Sequence, residues 1–250
     1  MESKVRKAAL LLAGGRGVAL TGAGISVESG IPDFRSKGGL WSRFNPMEYA
    51  TIGAFRKDPG KVWKMLKEMN ALLERASPNR AHEALARLEK AGLLEGVITQ
   101  NIDSLHQKAG SSVVVEFHGS TRHFVCLWCE GRFSREEIGG RGMPPLCDCG
   151  KPLKPGIVFF GETIPGAALH TSARLAENCR VMLVIGTSAE VAPANVLPLR
   201  AKREGASIVE INVEPTRLTR ELTDIFLEGK ASEVLAELER ELAAVSRNRT

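Results

Sequence analysis

This 250-residue chain predicts an α/β fold of the doubly wound, Rossmann-like kind, built on a parallel six-stranded sheet. Three observations carry the prediction. Short apolar, β-rich segments recur along the chain, most of them separated by helical periodicity, which is the alternation of a parallel sheet covered on both faces. One of them, Val181-Met182-Leu183-Val184-Ile185, is apolar at every position, as a central strand buried on both sides requires. Another, Val18-Ala19-Leu20, opens directly into Thr21-Gly22-Ala23-Gly24, a glycine-bearing strand end of the sort open α/β sheets keep at their carboxyl edge.

The elements follow in order. Met1-Glu2-Ser3-Lys4 has mixed charge and leads into an alanine- and leucine-rich helix, not into a signal peptide with a small-residue cleavage site. Strands are expected at 18–21, 97–100, 113–117, 181–186, 207–212 and 224–227. Ser77-Pro78 can open a helix whose Ala81, Leu85 and Leu88 share one face, with Gly92 stopping it. His82, on that helix, reads as a partly exposed residue and not as a ligand. Val234, Leu235, Leu238 and Leu242 make a similar stripe that should pack on the sheet, and the tail Arg247-Asn248-Arg249 should fray. Two stretches interrupt the alternation: 30–77, rich in turn residues and aromatics, and 120–163, which holds four of the five cysteines. Both read as insertions into a single domain whose core is 1–30, 78–119 and 164–250.

Apolar runs fall far short of the roughly 20 residues that span a bilayer, so the expectation is an intracellular, cytoplasmic protein with no membrane partner. The net charge of +5 and pI of about 9.0 are a modest excess that suits approach to an anionic cofactor or to nucleic acid and diagnoses neither. Lys57, Lys61, Lys64 and Lys67 read as a solvated face, and no direct nucleic-acid contact is expected.

A strand that opens into glycines brings backbone close to a pyrophosphate, so Gly22-Ala23-Gly24-Ile25-Ser26 reads as part of a dinucleotide site. The spacing departs from GxGxxG, because Val27 stands where a third glycine would fall. That argues against an ordinary dehydrogenase, which would leave its dinucleotide as NADH. Ordinary turn-making is the competing role for these glycines.

Cys126-Leu127-Trp128-Cys129 and Cys147-Asp148-Cys149-Gly150 are separated by seventeen residues, close to two-knuckle zinc spacing. Four thiolates would make a closed structural site with no open position for chemistry. The second knuckle is CxC, and Glu136 or Asp148 could substitute as ligands. Zinc modules also bind nucleic acid, which is the rival reading from another class, but no cluster of basic and aromatic residues accompanies this one. Cys179 reads as an inert apolar residue.

His118 follows the strand at 113–117 and should lie at the carboxyl edge of the sheet, as should Gln100, Asn101 and Asp103. A satisfied structural histidine, and helix capping by Asn101 or Asp103, are the plainer alternatives. His106 and His123 are not assigned to catalysis.

The phrase Thr21-Gly22-Ala23-Gly24-Ile25-Ser26, continuing to Ser29-Gly30-Ile31-Pro32-Asp33-Phe34-Arg35, resembles the signature of the sirtuins, the NAD-dependent protein deacylases. Thr99-Gln100-Asn101-Ile102-Asp103-Ser104-Leu105-His106 resembles that family's second signature, and His118-Gly119 matches its catalytic histidine. The resemblance implies NAD as co-substrate, held by Gly22–Ser26, Asp33, Phe34, Arg35, Gln100, Asn101, Ile102, Asp103, His118, Gly186, Thr187, Ser188, Asn212 and Ala231. It implies a structural Zn²⁺ on Cys126, Cys129, Cys147 and Cys149, and peptide contacts from Val158, Phe159, Phe160, Gly161, Glu162 and Val191. The implied substrate is an acetyl-lysine protein or peptide, DNA-associated proteins included. In the implied mechanism the acyl oxygen attacks the nicotinamide ribose as nicotinamide leaves. His118 then takes a proton from a ribose hydroxyl, with Asn101 and Asp103 ordering ribose, water and carboxamide, and lysine and O-acetyl-ADP-ribose result. Protein mono-ADP-ribosylation on the same pocket is the alternative within the family. Relatives that prefer malonyl- or succinyl-lysine carry a Tyr-x-x-Arg pair after Val-Trp, whereas here Val62-Trp63 is followed by Leu66 and Met69. An apolar pair cannot satisfy a buried carboxylate, so acidic acyl groups should be disfavoured.

Overall fold

The computed structural model describes residues 2–33 and 39–247. Its main sheet has six parallel strands in the order β3-β2-β1-β7-β8-β9: β1 Gly17–Thr21, β2 Leu94–Thr99, β3 Val114–Glu116, β7 Val181–Ile185, β8 Ser207–Asn212 and β9 Ile225–Glu228. All six lie where the apolar segments put them. β1 and β7 are buried at every position, which is why their sequences lack alternation. β1 pairs with β2 on one side and β7 on the other. The chain builds outward from β1 in one direction and from β7 in the other, so their carboxyl ends flank the topological switch point, where open α/β sheets bind ligands.

One face of the sheet is covered by α1 (Glu2–Leu12), α5 (Arg80–Lys90) and α10 (Ala231–Arg247). Val5, Leu12, Leu85, Leu88, Val234, Leu235, Leu238 and Leu242 pack there against Ala19, Val97 and Leu183. The other face buries Leu175 and Ala176 of α7 (Gly166–Asn178) and Leu197 and Ala201 of α8 (Leu197–Arg203) against Val18, Leu20, Met182 and Val184. Cys179 is buried on this second face, where burial pushes its thiol pKa up to about 11 and the thiol donates to the Ala176 carbonyl.

Two details of α5 differ from expectation. The helix starts at Arg80, not at Ser77-Pro78, because Asn79 is its N-cap: the Asn79 side chain accepts the Ala81 N–H at 2.9 Å. His82 is fully buried, not partly exposed. It stands at the third position of the helix, where its Nδ1 accepts the Asn79 N–H, and its ring meets that of His106 at 4.8 Å.

The second sheet is antiparallel, in the order β5-β4-β6: β4 Gly119–Cys126, β5 Arg132–Ser134 and β6 Leu153–Ile157. It packs with α2 (Pro46–Tyr49), α3 (Ile52–Lys57) and α4 (Pro59–Arg75) around a separate core. Phe55, Trp63, Leu66, Phe124, Leu153 and Phe159 fill that core, and the Trp63 indole donates to the Leu153 carbonyl at 2.9 Å. The remaining α-helices among the described residues are α6 (Leu105–Lys108) and α9 (Arg217–Glu221). No helix among the described residues is long and apolar enough to cross a membrane.

Candidate active site and metal centre

Gly22 and Gly24 end β1 against the loop that ends β7. A Cβ on Gly24 would lie 2.7 Å from Gly186 Cα, and one on Gly22 2.6 Å from Thr187 Cβ. Side chains there would drive two backbones apart, so close approach explains the glycines. Their amides are committed to this junction: Gly22 N–H donates to Ile185 O at 3.0 Å and Gly24 N–H to Gly186 O at 2.8 Å. From this loop it is Ala23 and Ser26 that reach a narrow cavity of about 40 Å³, also lined by Asn101, Ile102 and Asp103. The two sequence blocks therefore meet around one cavity.

A chain of hydrogen bonds ties them together. Asn101 Nδ2 donates to Gly22 O and to Ser26 Oγ, both at 3.1 Å. Ser26 Oγ donates to Asp103 Oδ2 at 2.7 Å, and Asp103 Oδ1 accepts the Leu105 N–H at 2.9 Å. Asp103 thus caps α6 while holding Ser26, so capping and site-building coincide in one side chain. Behind them, Thr99 Oγ1 accepts the Asn101 N–H at 3.1 Å and bonds Thr21 Oγ1 at 2.9 Å, and Thr21 Oγ1 in turn bonds His106 Nε2 at 2.9 Å. Thr21, Thr99 and His106 are all buried. Sequence reasoning gave this rear layer no role of its own, although Thr21, Thr99 and His106 all stand in the two signature phrases, because nothing local marks a strand threonine as the partner of a distant side chain.

His118 follows β3 and is half-buried. Its Nδ1 lies 3.1 Å from the Gln100 carbonyl, one residue from Asn101, although His118 does not line the small cavity. Only a donor satisfies that carbonyl, so Nδ1 carries the proton and Nε2 is left with its lone pair. Burial lowers the His118 pKa, the Gln100 bond opposing it, so the ring is neutral at physiological pH.

Gln100 Nε2 donates to Thr187 Oγ1 at 3.0 Å, and Asn212 Nδ2 to Thr187 O at 3.3 Å, which brings Gln100, Gly186, Thr187 and Asn212 to one edge with half-buried Ser188 beside them. Ala231 opens α10. Asp33 is half-buried, and Phe34 and Arg35 lie outside the described residues.

The cavity's other wall comes from the stretch between β1 and α5: Ile31, Pro32, Leu40, Met69, Leu72 and Leu73. Of Leu66 and Met69, both of which belong to the second core, only Met69 also lines the cavity, and Leu66 is fully buried. Among the described residues, Asp103 is the one charged group in this lining. A larger open depression of about 730 Å³, lined by Tyr49, Lys61, Trp63, Lys64, Lys67 and Met143 among others, contains none of the site residues.

The expected peptide segment is held on several sides. Val158 N–H donates to His118 O at 2.8 Å, Phe159 N–H to Glu162 Oε2 at 2.8 Å and Phe160 N–H to Ala50 O at 2.9 Å. Phe159 is core, Phe160 is exposed and tilted against Trp41, and Gly161 is exposed. Val191 is half-buried in the loop beyond β7.

Cys126, Cys129, Cys147 and Cys149 converge, with all four Sγ atoms within 4.8 Å of one another. The Cys126–Cys149 and Cys129–Cys147 separations are 3.6 and 3.5 Å. These are too long for disulfides, whose sulfurs lie about 2 Å apart. They are close to the roughly 3.8 Å between sulfurs of a tetrahedral zinc tetrathiolate with Zn–S near 2.3 Å. The four cysteines are arranged to hold one zinc ion. Asp148 points away to pair with Arg141 at 2.7 Å, and neither it nor Glu136 belongs to the cluster.

Comparison with known proteins agrees with this geometry. The model of the Sir2 family matches residues 22–193. NAD-dependent protein deacylase 1 of Archaeoglobus fulgidus is 49% identical over 224 residues, covering 89% of this chain and 91% of that protein. A solved Sir2 homologue in complex with NAD superposes with a TM-score of 0.88 at 46% identity, covering 96% of this chain and 94% of that one. A Sir2–p53 peptide–NAD⁺ complex superposes at 0.86 with 37% identity, covering 95% and 98%.

Proposed function

The chain belongs to the Sir2 family and is an NAD-dependent protein deacylase; we propose that it removes acetyl groups from protein lysines, giving nicotinamide, free lysine and O-acetyl-ADP-ribose. The observation that carries this is the bonded circuit Asn101–Ser26–Asp103, which joins the two blocks around one cavity with His118 anchored to Gln100 beside it. When bound, NAD supplies an electrophilic ribose carbon and nicotinamide as leaving group.

The chain's own residues do the rest. Ala23, Ser26, Asn101, Ile102 and Asp103 form the polar side of the cavity, and Ile31, Leu40, Met69, Leu72 and Leu73 form a dry side that excludes water from a reactive centre. Asn101 uses its amide N–H groups on Gly22 and Ser26, leaving its oxygen to accept from a ligand. His118, neutral and oriented through Nδ1, offers Nε2 to take a proton from a substrate hydroxyl. Val158–Glu162 and Val191 receive the peptide by backbone pairing. Zinc shapes the second sheet and takes no part in the chemistry, since four thiolates leave it no open position. Zinc held by reduced thiols suits the cytoplasm, where DNA-associated proteins are among the candidate substrates.

Mass spectrometry of NAD incubated with an acetylated peptide tests the reading. Nicotinamide, deacetylated peptide and O-acetyl-ADP-ribose should appear in equal amounts. Transfer of ADP-ribose to protein with the acetyl group retained would favour the ADP-ribosyltransferase alternative, and accumulation of NADH would overturn both.

A further inference from the structure

Lys154 is a buried lysine outside the reactive centre, 3% exposed on β6 and opposite Val125 of β4. Its Nζ donates to Pro155 O at 3.2 Å, to Ile157 O at 2.5 Å and to Glu162 Oε2 at 3.0 Å, and lies 4.7 Å from the centre of the Phe159 ring. All four partners fall between residues 155 and 162. The same Glu162 oxygen accepts the Phe159 N–H. One ammonium and one carboxylate thus close this stretch into a loop, which Val158 docks onto His118 and Phe160 onto Ala50.

Burying an ammonium is costly even when it is fully bonded, and burial pulls the Lys154 pKa down against the attraction of Glu162. An apolar side chain of similar length would fill the space without that cost, and such replacements are often neutral or stabilising. The charge is therefore better explained by the conformation it imposes than by stability. That conformation reaches two places. β6 begins at Leu153, paired with Cys126, and Lys151 O accepts the Cys147 N–H at 2.7 Å, so the strand leaves directly from the zinc knuckles. It ends in the segment proposed to receive the peptide.

We propose that Lys154 is a positioning residue for the acylated peptide: its ammonium, through Glu162, holds 158–162 in the register that pairs with substrate and ties that register to the zinc module. This rests on the deacylase reading given above. A charged hydrogen-bond network of this kind, once lost, should weaken peptide binding by about tenfold.

The test uses the zinc-loaded full chain and its Lys154→Met and Glu162→Gln variants, with initial rates measured against acetylated peptide and against NAD separately. The peptide KM should rise about tenfold in Lys154→Met and less in Glu162→Gln, which keeps an acceptor for the Phe159 N–H. The NAD KM and bound zinc should change less than about twofold. The double variant should be no worse than Lys154→Met alone, because both changes cut one network. If Lys154→Met fails to fold, Glu162→Gln carries the same criterion. An unchanged peptide KM in the folded variants, or parallel increases for peptide and NAD, overturns the inference while leaving the deacylase reading intact. A wild-type chain that deacylates no peptide overturns that reading, and this inference with it.

Discussion

Acid should destabilise this protein above the range where carboxylates titrate, and the buried pair His82 and His106 should be the cause. Neither His82 Nε2 nor His106 Nδ1 has a hydrogen-bond partner among the described residues. Burial pushes His82 from 6.5 down to about 4, with Asp103 opposing, and pushes His106 down to about 3, with His82 adding to the effect. Both rings are neutral when folded and take up protons when unfolded below 6.5. Their contribution is therefore complete above the unfolded pKa and is lost as the pH falls toward the folded values. Between pH 6.5 and about pH 5 each imidazole should cost roughly 1.5 kcal/mol, about 3 kcal/mol together. That is a large share of a total stability of about 5–15 kcal/mol. His118 and His123, also lowered by burial, act in the same direction. The assay is urea unfolding followed by circular dichroism across this window, comparing wild type with His106→Gln. That variant keeps a polar group where Nε2 meets Thr21 but cannot titrate. The stability difference between the two proteins should shift by about 1.5 kcal/mol over the window, with effects of the zinc thiols common to both. A difference independent of pH would refute the account of His106 as a buried neutral imidazole.

Other outcomes follow from the site. His118→Ala should retain zinc and NAD binding but lose about 10²–10⁴ in turnover; undiminished deacylation would remove Nε2 from the mechanism. Stripping zinc with a chelator should disorder the β4-β5-β6 sheet and abolish peptide turnover, which tryptophan fluorescence from Trp63 and Trp128 and an activity assay would follow together. Duplex DNA retained tightly at physiological salt would instead support the nucleic-acid reading of the module. Acetylated peptide should show a higher kcat/KM than succinylated peptide, because the cavity lining holds no cation among the described residues to meet a second carboxylate; the reverse preference would show that a basic group reaches the acyl chain.

Much of this molecule was legible in one dimension. The six strands were readable because a parallel strand covered on both faces must be apolar throughout, so Val181–Ile185 announces its own burial. The zinc site was readable because four ligands on two short knuckles have a fixed spacing. The assignment of a reactive centre rests largely on resemblance to a known signature, since a lone histidine at a strand end has no spacing to distinguish it.

Where contacts join distant parts of the chain, the sequence was silent. Nothing local marks His82 as buried: it stands beside Glu83 near the start of α5, and its ring meets His106, a residue of α6. Gly22 and Gly24 suggested amides aimed at a phosphate, yet their amides bond the β7 loop and their missing side chains admit Gly186 and Thr187. Thr21, Thr99 and His106 form one layer only because parallel pairing sets Thr21 beside Thr99. Lys154 and Glu162, in an exposed-looking stretch, meet because the chain turns back between them. The strands, the knuckles and the two signature blocks were thus determined by the sequence itself, because burial on both faces and metal spacing act over a few neighbouring residues. Which polar groups become partners in the dry interior was decided by tertiary structure alone, since a buried donor or acceptor must be satisfied by whatever element the fold brings within about 3 Å.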